Sequence, residues 1–277
     1  MPIITLTTDF GIKDPSAAAV KGAIYSEISD ATIVDITHEI SPFQIEEGAY
    51  IIQNAYKNFP KGSIHIIGID SELTPEKKHI AVLLDGHYFI CADNGIISLI
   101  INEINPENCV EINLPDSAPS NFPELNIFAK VACHILRGGT LEVIGRAHNG
   151  IKQLKGVSPV INKGGNQIVG HVIYIDNYGN VITNITKNLF KEVKKDRDFK
   201  ITARSISFNK IVDRYSEVIN FDIDKLKREE DGKKIALFNT NGYLELAIYK
   251  SNPQTYGAAN TLFGLKYRDP INVTFED

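Results

Sequence analysis

The sequence predicts an α/β protein of two domains, in which an α/β domain with a mostly parallel sheet precedes a small antiparallel β-barrel. Two observations predict this fold. Strand-like and helix-like segments alternate over residues 3–70, and short strand-like segments with few helices between them fill the chain beyond residue 170. A glycine-rich stretch at 150–165 separates the two patterns. We therefore expect an α/β domain over residues 1–155 and a β-barrel domain over residues 166–277.

The N-terminal alternation predicts three strands joined by two helices. Apolar, β-branched runs predict strands at 3–7, 31–36 and 63–70, and the spacing of small and apolar residues predicts helices at 16–28 and 44–58. Because strand and helix alternate, these strands are expected to be parallel. A hairpin at 79–92 turns at Asp85-Gly86-His87, and a helix over 127–137 ends at Gly138-Gly139.

The C-terminal half shows a different pattern of short β-type runs. The predicted strands are 170–175, 182–185, 200–206, 234–238, 243–248 and 271–275. Few helices separate them, so neighbouring strands are expected to be antiparallel and to form a barrel or sandwich.

Composition excludes several classes of protein. The 277 residues are 43% hydrophobic and 23% charged, as in an ordinary soluble domain, and the net charge of −5 argues against a nucleic-acid surface. The N-terminus lacks the basic and apolar regions of a signal peptide, and no apolar run approaches the ~20 residues of a membrane span. We expect neither nucleic acid nor membrane as a partner.

The cysteines indicate a reducing compartment. Cys91, Cys109 and Cys133 are odd in number, widely spaced and outside any CxxC motif. This pattern argues against a disulfide framework and against a zinc site, so we expect a cytoplasmic protein without a bound metal.

Acidic residues follow two of the predicted parallel strands. Asp9 follows the first strand and Asp70 ends the third. Ligands of open α/β sheets lie at the carboxyl ends of strands, where a carboxylate can accept hydrogen bonds from hydroxyl or amine groups. Asp14 lies at a predicted helix start, where capping is an equally good interpretation.

Two polar segments punctuate the β-rich half. Residues 176–180 read Asp-Asn-Tyr-Gly-Asn, and residues 239–242 read Asn-Thr-Asn-Gly. Both compositions are typical of turns between strands, which is the interpretation that spacing favours. The alternative is a binding function, in which the aromatic ring and the amides contact a planar base.

Many short segments match one family in order along nearly the whole chain. Those of the N-terminal half are Thr8-Asp9-Phe10-Gly11, Asp14, Lys21-Gly22, Ile33 to Ile40, Phe59 to His65 and Ala92-Asp93-Asn94-Gly95. Those of the C-terminal half are Tyr174 to Ile185, Gly242-Tyr243-Leu244-Glu245 and Gly264 to Pro270. Together they resemble the S-adenosyl-L-methionine (SAM) hydroxide adenosyltransferases and their fluorinase and chlorinase relatives.

The resemblance implies a homotrimer that binds a small nucleoside ligand. The adenosyl group is expected between the N-terminal domain of one subunit and the C-terminal domain of its neighbour. No cofactor is implied beyond SAM itself, as substrate or ligand. Asp14 is expected to bind the ribose hydroxyls, while Asp9 and Phe10 line the pocket. In the second domain, Tyr178 is expected to lie against the adenine and Asn180 to bond polar groups of the ligand. Asn239 to Asn241 are expected to bond the adenine edge.

The implied reaction is a displacement at the ribose C5′, in which hydroxide or halide attacks and methionine leaves. The sulfonium is already cationic, so the enzyme must mainly desolvate and align the nucleophile. Hydroxide-using members resemble one another in an Asp, Arg and His set that holds and deprotonates water.

This chain departs from that catalytic set. Asp70 occupies the aspartate position, but Lys77 stands about where the arginine belongs and Pro123 where the histidine belongs. Lysine keeps the positive charge of arginine but lacks its planar, bidentate guanidinium group, and proline cannot accept a proton. Glu124 is a possible substitute base. The candidate catalytic residues are therefore Asp70, Lys77 and Glu124.

Three interpretations stay open at this point. The protein is a SAM-cleaving enzyme with an altered catalytic set, a non-catalytic SAM- or adenosine-binding trimer, or a structural trimer with a degenerate pocket. The first predicts adenosine-type product and methionine, and the second predicts a ligand-dependent thermal shift without turnover. The third predicts neither.

Overall fold

The structure is a computed structural model that describes residues 2–101, 104–114, 120–228, 230 and 232–276. The chain divides into two compact units, Met1–Gly156 and Val157–Asp277. Among the described residues, every helix is too short or too polar to cross a lipid bilayer.

The first unit is built on one mixed sheet. Its strands are β1 (Ile4–Thr8), β2 (Ile33–Thr37), β3 (Ile64–Gly68), β4 (His79–Leu84), β5 (His87–Ala92), β6 (Asn108–Ile112) and β7 (Gly145–Ala147). They lie in the order β2-β1-β3-β5-β4-β6-β7. The pairs from β2 to β5 are parallel, and those from β5 to β7 are antiparallel.

Helices cover both faces of this sheet. They are α1 (Ser16–Glu27), α2 (Ile45–Ala55), α3 (Ile96–Ile100), α4 (Ala129–Leu136) and α5 (Leu141–Ile144), with a 3₁₀ turn at Tyr56–Asn58 and a π-helical turn at Glu124–Phe128. One core cluster joins Ile4 and Ile64 to Ile24 of α1, and another joins Ile67 to Ile52 of α2. β1 and β3 are buried throughout, as expected for central parallel strands, and they bury the polar residues Thr5, Thr7, Thr8 and His65 together with their apolar ones.

The second unit is an antiparallel, nearly closed barrel. Its elements are β8 (Val160–Ile161), β9 (Gln167–Ile175), β10 (Val181–Thr186), α6 (Lys187–Lys194), β11 (Asp198–Ala203), β12 (Ile206–Phe208), β13 (Lys234–Phe238), β14 (Tyr243–Ile248), α7 (Ala259–Leu262) and β15 (Pro270–Glu276), with 3₁₀ turns at Tyr215–Val218 and Lys225–Lys227. The order is β12-β11-β15-β9-β10-β14-β13, with β8 on β9. A bridge between Val212, just after β12, and Leu237 of β13 links the two edges.

The predicted fold class is confirmed, although α3, β6, α5, β7, β8 and α7 were not predicted. Two further differences lie at β11–β12 and at α6. The single strand predicted at 200–206 is wrong, because the chain reverses at Arg204 (φ +53°) and forms the β11–β12 hairpin. Both halves alternate apolar and polar residues, so the pattern does not reveal the turn. Helix α6 was not predicted, although Thr186 caps it by accepting a hydrogen bond from the Leu189 N–H at 3.2 Å.

Candidate active site

Polar residues gather where β1 and β3 end side by side. Thr8 pairs with Gly68, and the Asp9 N–H donates to the Gly68 carbonyl at 3.3 Å. A cavity of about 570 Å³ opens here, and Asp9, Phe10, Phe43, Asp70 and Glu124 are among its lining residues. Four of the predicted site residues therefore line one cavity, at the strand ends where an open α/β sheet binds ligands.

Lys77 contacts Asp70 directly. Its Nζ lies 2.5 Å from Oδ1 of Asp70, and the lysine side chain is 12% exposed against 36% for the aspartate. A turn at residues 74–77 explains the contact, because Thr74 and Lys77 exchange backbone hydrogen bonds at 3.0 and 3.2 Å. Pro75 occupies the second turn position, for which its fixed φ is suited. Asp70 itself lines the cavity.

The backbone at Asp70 is unusual. Its φ is +46°, a left-handed conformation that few non-glycine residues adopt and that aspartate tolerates better than most. Such conformations persist where surrounding contacts hold them and are common at functional sites.

Glu124 is a buried carboxyl group at the cavity wall. It is 4% exposed and begins the π-helical turn that precedes α4. Burial raises the pKa of Glu124, and the negative charge of Asp9 raises it further. Gly68 makes room for it, since a Cβ at that position would lie 2.8 Å from Cγ of Glu124. A carboxyl group with a raised pKa beside a cavity is suited to accept a proton.

Asp9 and Phe10 also line the cavity. Oδ2 of Asp9 accepts a hydrogen bond from the Phe43 N–H at 2.9 Å. The Phe10 ring packs edge-on against Phe122 with centroids 5.6 Å apart. Asp14 is exposed, does not line the cavity and does not cap α1, whose N-cap residue is Pro15 and which has no side-chain capping hydrogen bond. The capping interpretation of Asp14 is therefore wrong.

Phe43 is a cavity residue that the sequence analysis missed. Its φ is +64° and it is 71% exposed. A left-handed bulky residue is an outlier, found in tight turns and at strained positions, and such positions are common at functional sites. The available sequence signal was an aromatic residue in a polar segment just before the helix predicted at 44–58.

The 176–180 segment of the second unit is a tight turn between β9 and β10. Oδ1 of Asp176 accepts the N–H groups of Tyr178 and Asn180 at 2.9 and 2.8 Å, and Oδ2 accepts Nδ2 of Asn180 at 3.0 Å. Gly179 has φ +73°, and a Cβ there would lie 2.4 Å from Cβ of Ala258. The turn buries Asn180 and leaves Tyr178 67% exposed.

The 239–242 segment is a turn of the same kind between β13 and β14. Oδ1 of Asn239 accepts the N–H groups of Asn241 and Tyr243, each at 3.1 Å. Asn241 is exposed. The turn interpretation of both segments is thus correct, and it leaves an aromatic ring and an amide on the surface.

Glu245, a buried residue of β14, was not among the predicted site residues, although the family-matching segment Gly242-Tyr243-Leu244-Glu245 contains it. The hydroxyl of Tyr215 donates to its Oε1 at 2.5 Å. Burial raises the pKa of Glu245, and the nearby negative charge of Asp176 raises it further, while hydrogen bonds from Tyr215 and Asn239 lower it. Glu245 therefore lies close to both polar turns of the second unit.

Comparison with known proteins places the chain in a family. Residues 4–145 match the SAM hydroxide adenosyltransferase N-terminal domain and residues 170–272 the corresponding C-terminal domain. The chain belongs to the SAM hydroxide adenosyltransferase family. This confirms the resemblance drawn from the motifs.

Individual relatives cover most of the chain. A Methanocaldococcus jannaschii protein named (R)-S-adenosyl-L-methionine hydrolase is 30% identical over 281 aligned residues, covering 99% of this chain and 97% of its own. A Nocardia brasiliensis fluorinase is 28% identical over 66% of this chain and 71% of its own. The crystal structure of an uncharacterized conserved protein from Thermotoga maritima superposes with a TM-score of 0.82 at 25% identity, covering 98% of this chain and 100% of that one.

Proposed function

We propose that the protein cleaves SAM by attack of water or hydroxide at the ribose C5′, giving adenosine and methionine. The observation that carries the proposal is the Asp70–Lys77 ion pair, 2.5 Å long, at a cavity that Glu124 also lines. The family assignment and the relative named as a SAM hydrolase support the same reaction class.

In this mechanism Asp70 holds the attacking water and Lys77 fixes the carboxylate. Glu124 accepts the water proton as the oxygen bonds to C5′. The C5′–S bond breaks with its electron pair on sulfur, so methionine leaves as a neutral thioether and needs no acid. A raised pKa makes Glu124 a stronger base than an ordinary carboxylate. The rest of the rate enhancement comes from aligning and desolvating the attacking water.

The remaining predicted residues are proposed to bind the nucleoside. Asp9, Phe10 and Asp14 belong to the first unit, and Phe43 joins them because it lines the same cavity as Asp9 and Phe10. In the second unit the proposed ligand residues are Tyr178, Asn180, Asn239 and Asn241. Exposed Tyr178 offers a ring for stacking and exposed Asn241 offers an amide. We also propose a cytoplasmic homotrimer with domains at 1–155 and 166–277 and no bound cofactor.

A second candidate is a SAM- or adenosine-binding protein without turnover. The observation that favours it is Pro123, which replaces the histidine of the family's hydroxide-using set and cannot accept a proton. This candidate keeps the cavity and the ligand residues but needs no function for Glu124.

Chromatography of SAM incubated with the purified protein separates the two. Cleavage predicts equal amounts of adenosine and methionine from the wild type and none from Asp70→Ala. If the wild type yields no product over a wide range of pH and halide, yet SAM raises its melting temperature, the binding protein is the correct interpretation. If SAM and adenosine cause no thermal shift either, both candidates fail.

A further inference from the structure

The backbone that carries Asp70 is held by buried side chains from two other elements. We propose that Asn94 and His79 are positioning residues, which keep the Asp70 carboxylate directed at the cavity. This inference rests on the proposed function, since it assigns them a role in the reaction through Asp70. The supporting observation is that side chains of these two residues bond the backbone carbonyls of residues 69 and 71, on either side of Asp70, and that Asn94 also approaches the carbonyl of Asp70.

Asn94 lies in the turn after β5 and is 3% exposed. Its Nδ2 donates to the Ile69 carbonyl at 2.8 Å and approaches the Asp70 carbonyl at 3.5 Å. Its Oδ1 accepts the Ile96 N–H at 3.1 Å, at the start of α3. The amide is therefore fixed by α3 on one side and holds the Asp70 backbone on the other.

His79, the first residue of β4, is also 3% exposed. Its Nε2 lies 2.8 Å from the Ser71 carbonyl, so Nε2 carries the hydrogen and donates. The ring packs edge-on against Phe128 with centroids 4.9 Å apart. Burial lowers the pKa of His79, which fits a neutral, structural donor rather than a proton acceptor.

These contacts matter because Asp70 has a left-handed backbone with φ +46°. Without support, an aspartate at this position relaxes toward negative φ, and the change redirects its side chain. Displacing a reacting group by about 1 Å can cost about 100-fold in rate. Loss of either donor should therefore lower kcat while leaving the nucleoside contacts, and hence KM, nearly intact.

The sharpest variant is Asn94→Asp, which keeps the size and the acceptor for Ile96 but replaces the donor with an oxygen that faces two carbonyls. We expect kcat to fall about 100-fold with KM within about threefold. For the second residue, His79→Gln keeps a donor at a similar distance and should retain most of kcat, whereas His79→Met should lose it. Asn58→Asp, at an exposed position, is the matched control and should match the wild type.

The inference would be overturned if Asn94→Asp and His79→Met both kept the wild-type kcat. It would also be overturned if His79→Gln and His79→Met lost kcat equally. Either result would leave the proposed function intact. If Asn94→Asp fails to fold, the two His79 variants decide. If the wild type makes no product, the proposed function fails, and a crystal structure of Asn94→Asp decides the inference. Residue 70 at negative φ, with its carboxylate moved from Lys77, supports the positioning role, and an unchanged loop refutes it.

Discussion

The cavity of the first unit and the polar turns of the second unit use similar residues in opposite ways. Around the cavity, Asp70 keeps a free side because other residues hold its backbone and Lys77 bonds one of its oxygens. In the turns, Asp176 and Asn239 give their side-chain oxygens to their own backbone. The difference teaches that the side chains of a polar motif first make the hydrogen bonds that the local backbone needs. Only the groups that are not used in this way can contact a ligand.

The largest expected effect is at Asp70. Asp70→Asn keeps the size and removes the charge that Lys77 and the attacking water require, so turnover should fall at least about 1,000-fold, as for a group within a cooperative catalytic set. Initial rates of adenosine formation measure it. Glu76→Gln, at an exposed position of the same loop, should retain wild-type rates. Equal rates in the two variants would remove Asp70 from the mechanism. The acidic residues of the cavity, like those of the turns, would then have only a structural role.

The next effect is at Glu124, through the pH profile. A base must be deprotonated to act, so wild-type kcat should rise with pH through the raised pKa of Glu124. Glu124→Gln cannot accept a proton and should lower kcat by about 100-fold or more while removing that limb. The check is a kcat–pH series for both proteins. If the rise of kcat with pH persists unchanged in the variant, a group other than Glu124 causes it.

The first unit also buries histidines inside its sheet, which has a consequence for stability. His65 of β3 is 1% exposed; its Nδ1 lies 2.7 Å from the Thr5 hydroxyl and its Nε2 3.3 Å from Nδ1 of His87. Burial lowers the pKa of His65 from 6.5 to about 3, and the positive charge of a protonated His87 lowers it too. The folded protein therefore keeps His65 neutral where the unfolded chain binds a proton.

Because the folded pKa is the lower one, this contribution to stability is complete above pH 6.5 and is lost as the pH falls toward 3. The loss is at most about 1.4 kcal/mol per pH unit for one group. Urea unfolding of the wild type and His65→Gln across this range measures it. The variant should be less stable at neutral pH but should show a shallower pH dependence. Parallel curves would show that another group controls the acid response.

The sequence predicted the strand ends that form the site better than the side-chain contacts and backbone conformations within it. The ends of β1 and β3 could be located because apolar runs stop at Asp9 and Asp70. The Lys77 contact required knowing that residues 74–77 close a turn, and the left-handed backbone of Phe43 has no periodic signal. The segment that contains Glu245 was singled out by its family match, but the contact of Glu245 with Tyr215, 30 residues away, has no signal in the sequence.

The smallest expected effect tests the turns themselves. Asn239→Ala removes an oxygen that accepts two backbone N–H groups, which should lower the free energy of unfolding by about 1 kcal/mol. Asn241→Ala, at an exposed position of the same turn, should change it by less than about 0.5 kcal/mol while weakening adenosine binding. Chemical denaturation and titration calorimetry measure the two effects. This outcome would assign the Asn239 side chain to the stability of the turn and Asn241 to the ligand, and so would remove the Asn239 side chain from the proposed nucleoside contacts. The reverse result would mean that the Asn239 amide, although its oxygen is bonded to the backbone, is the one that contacts the base.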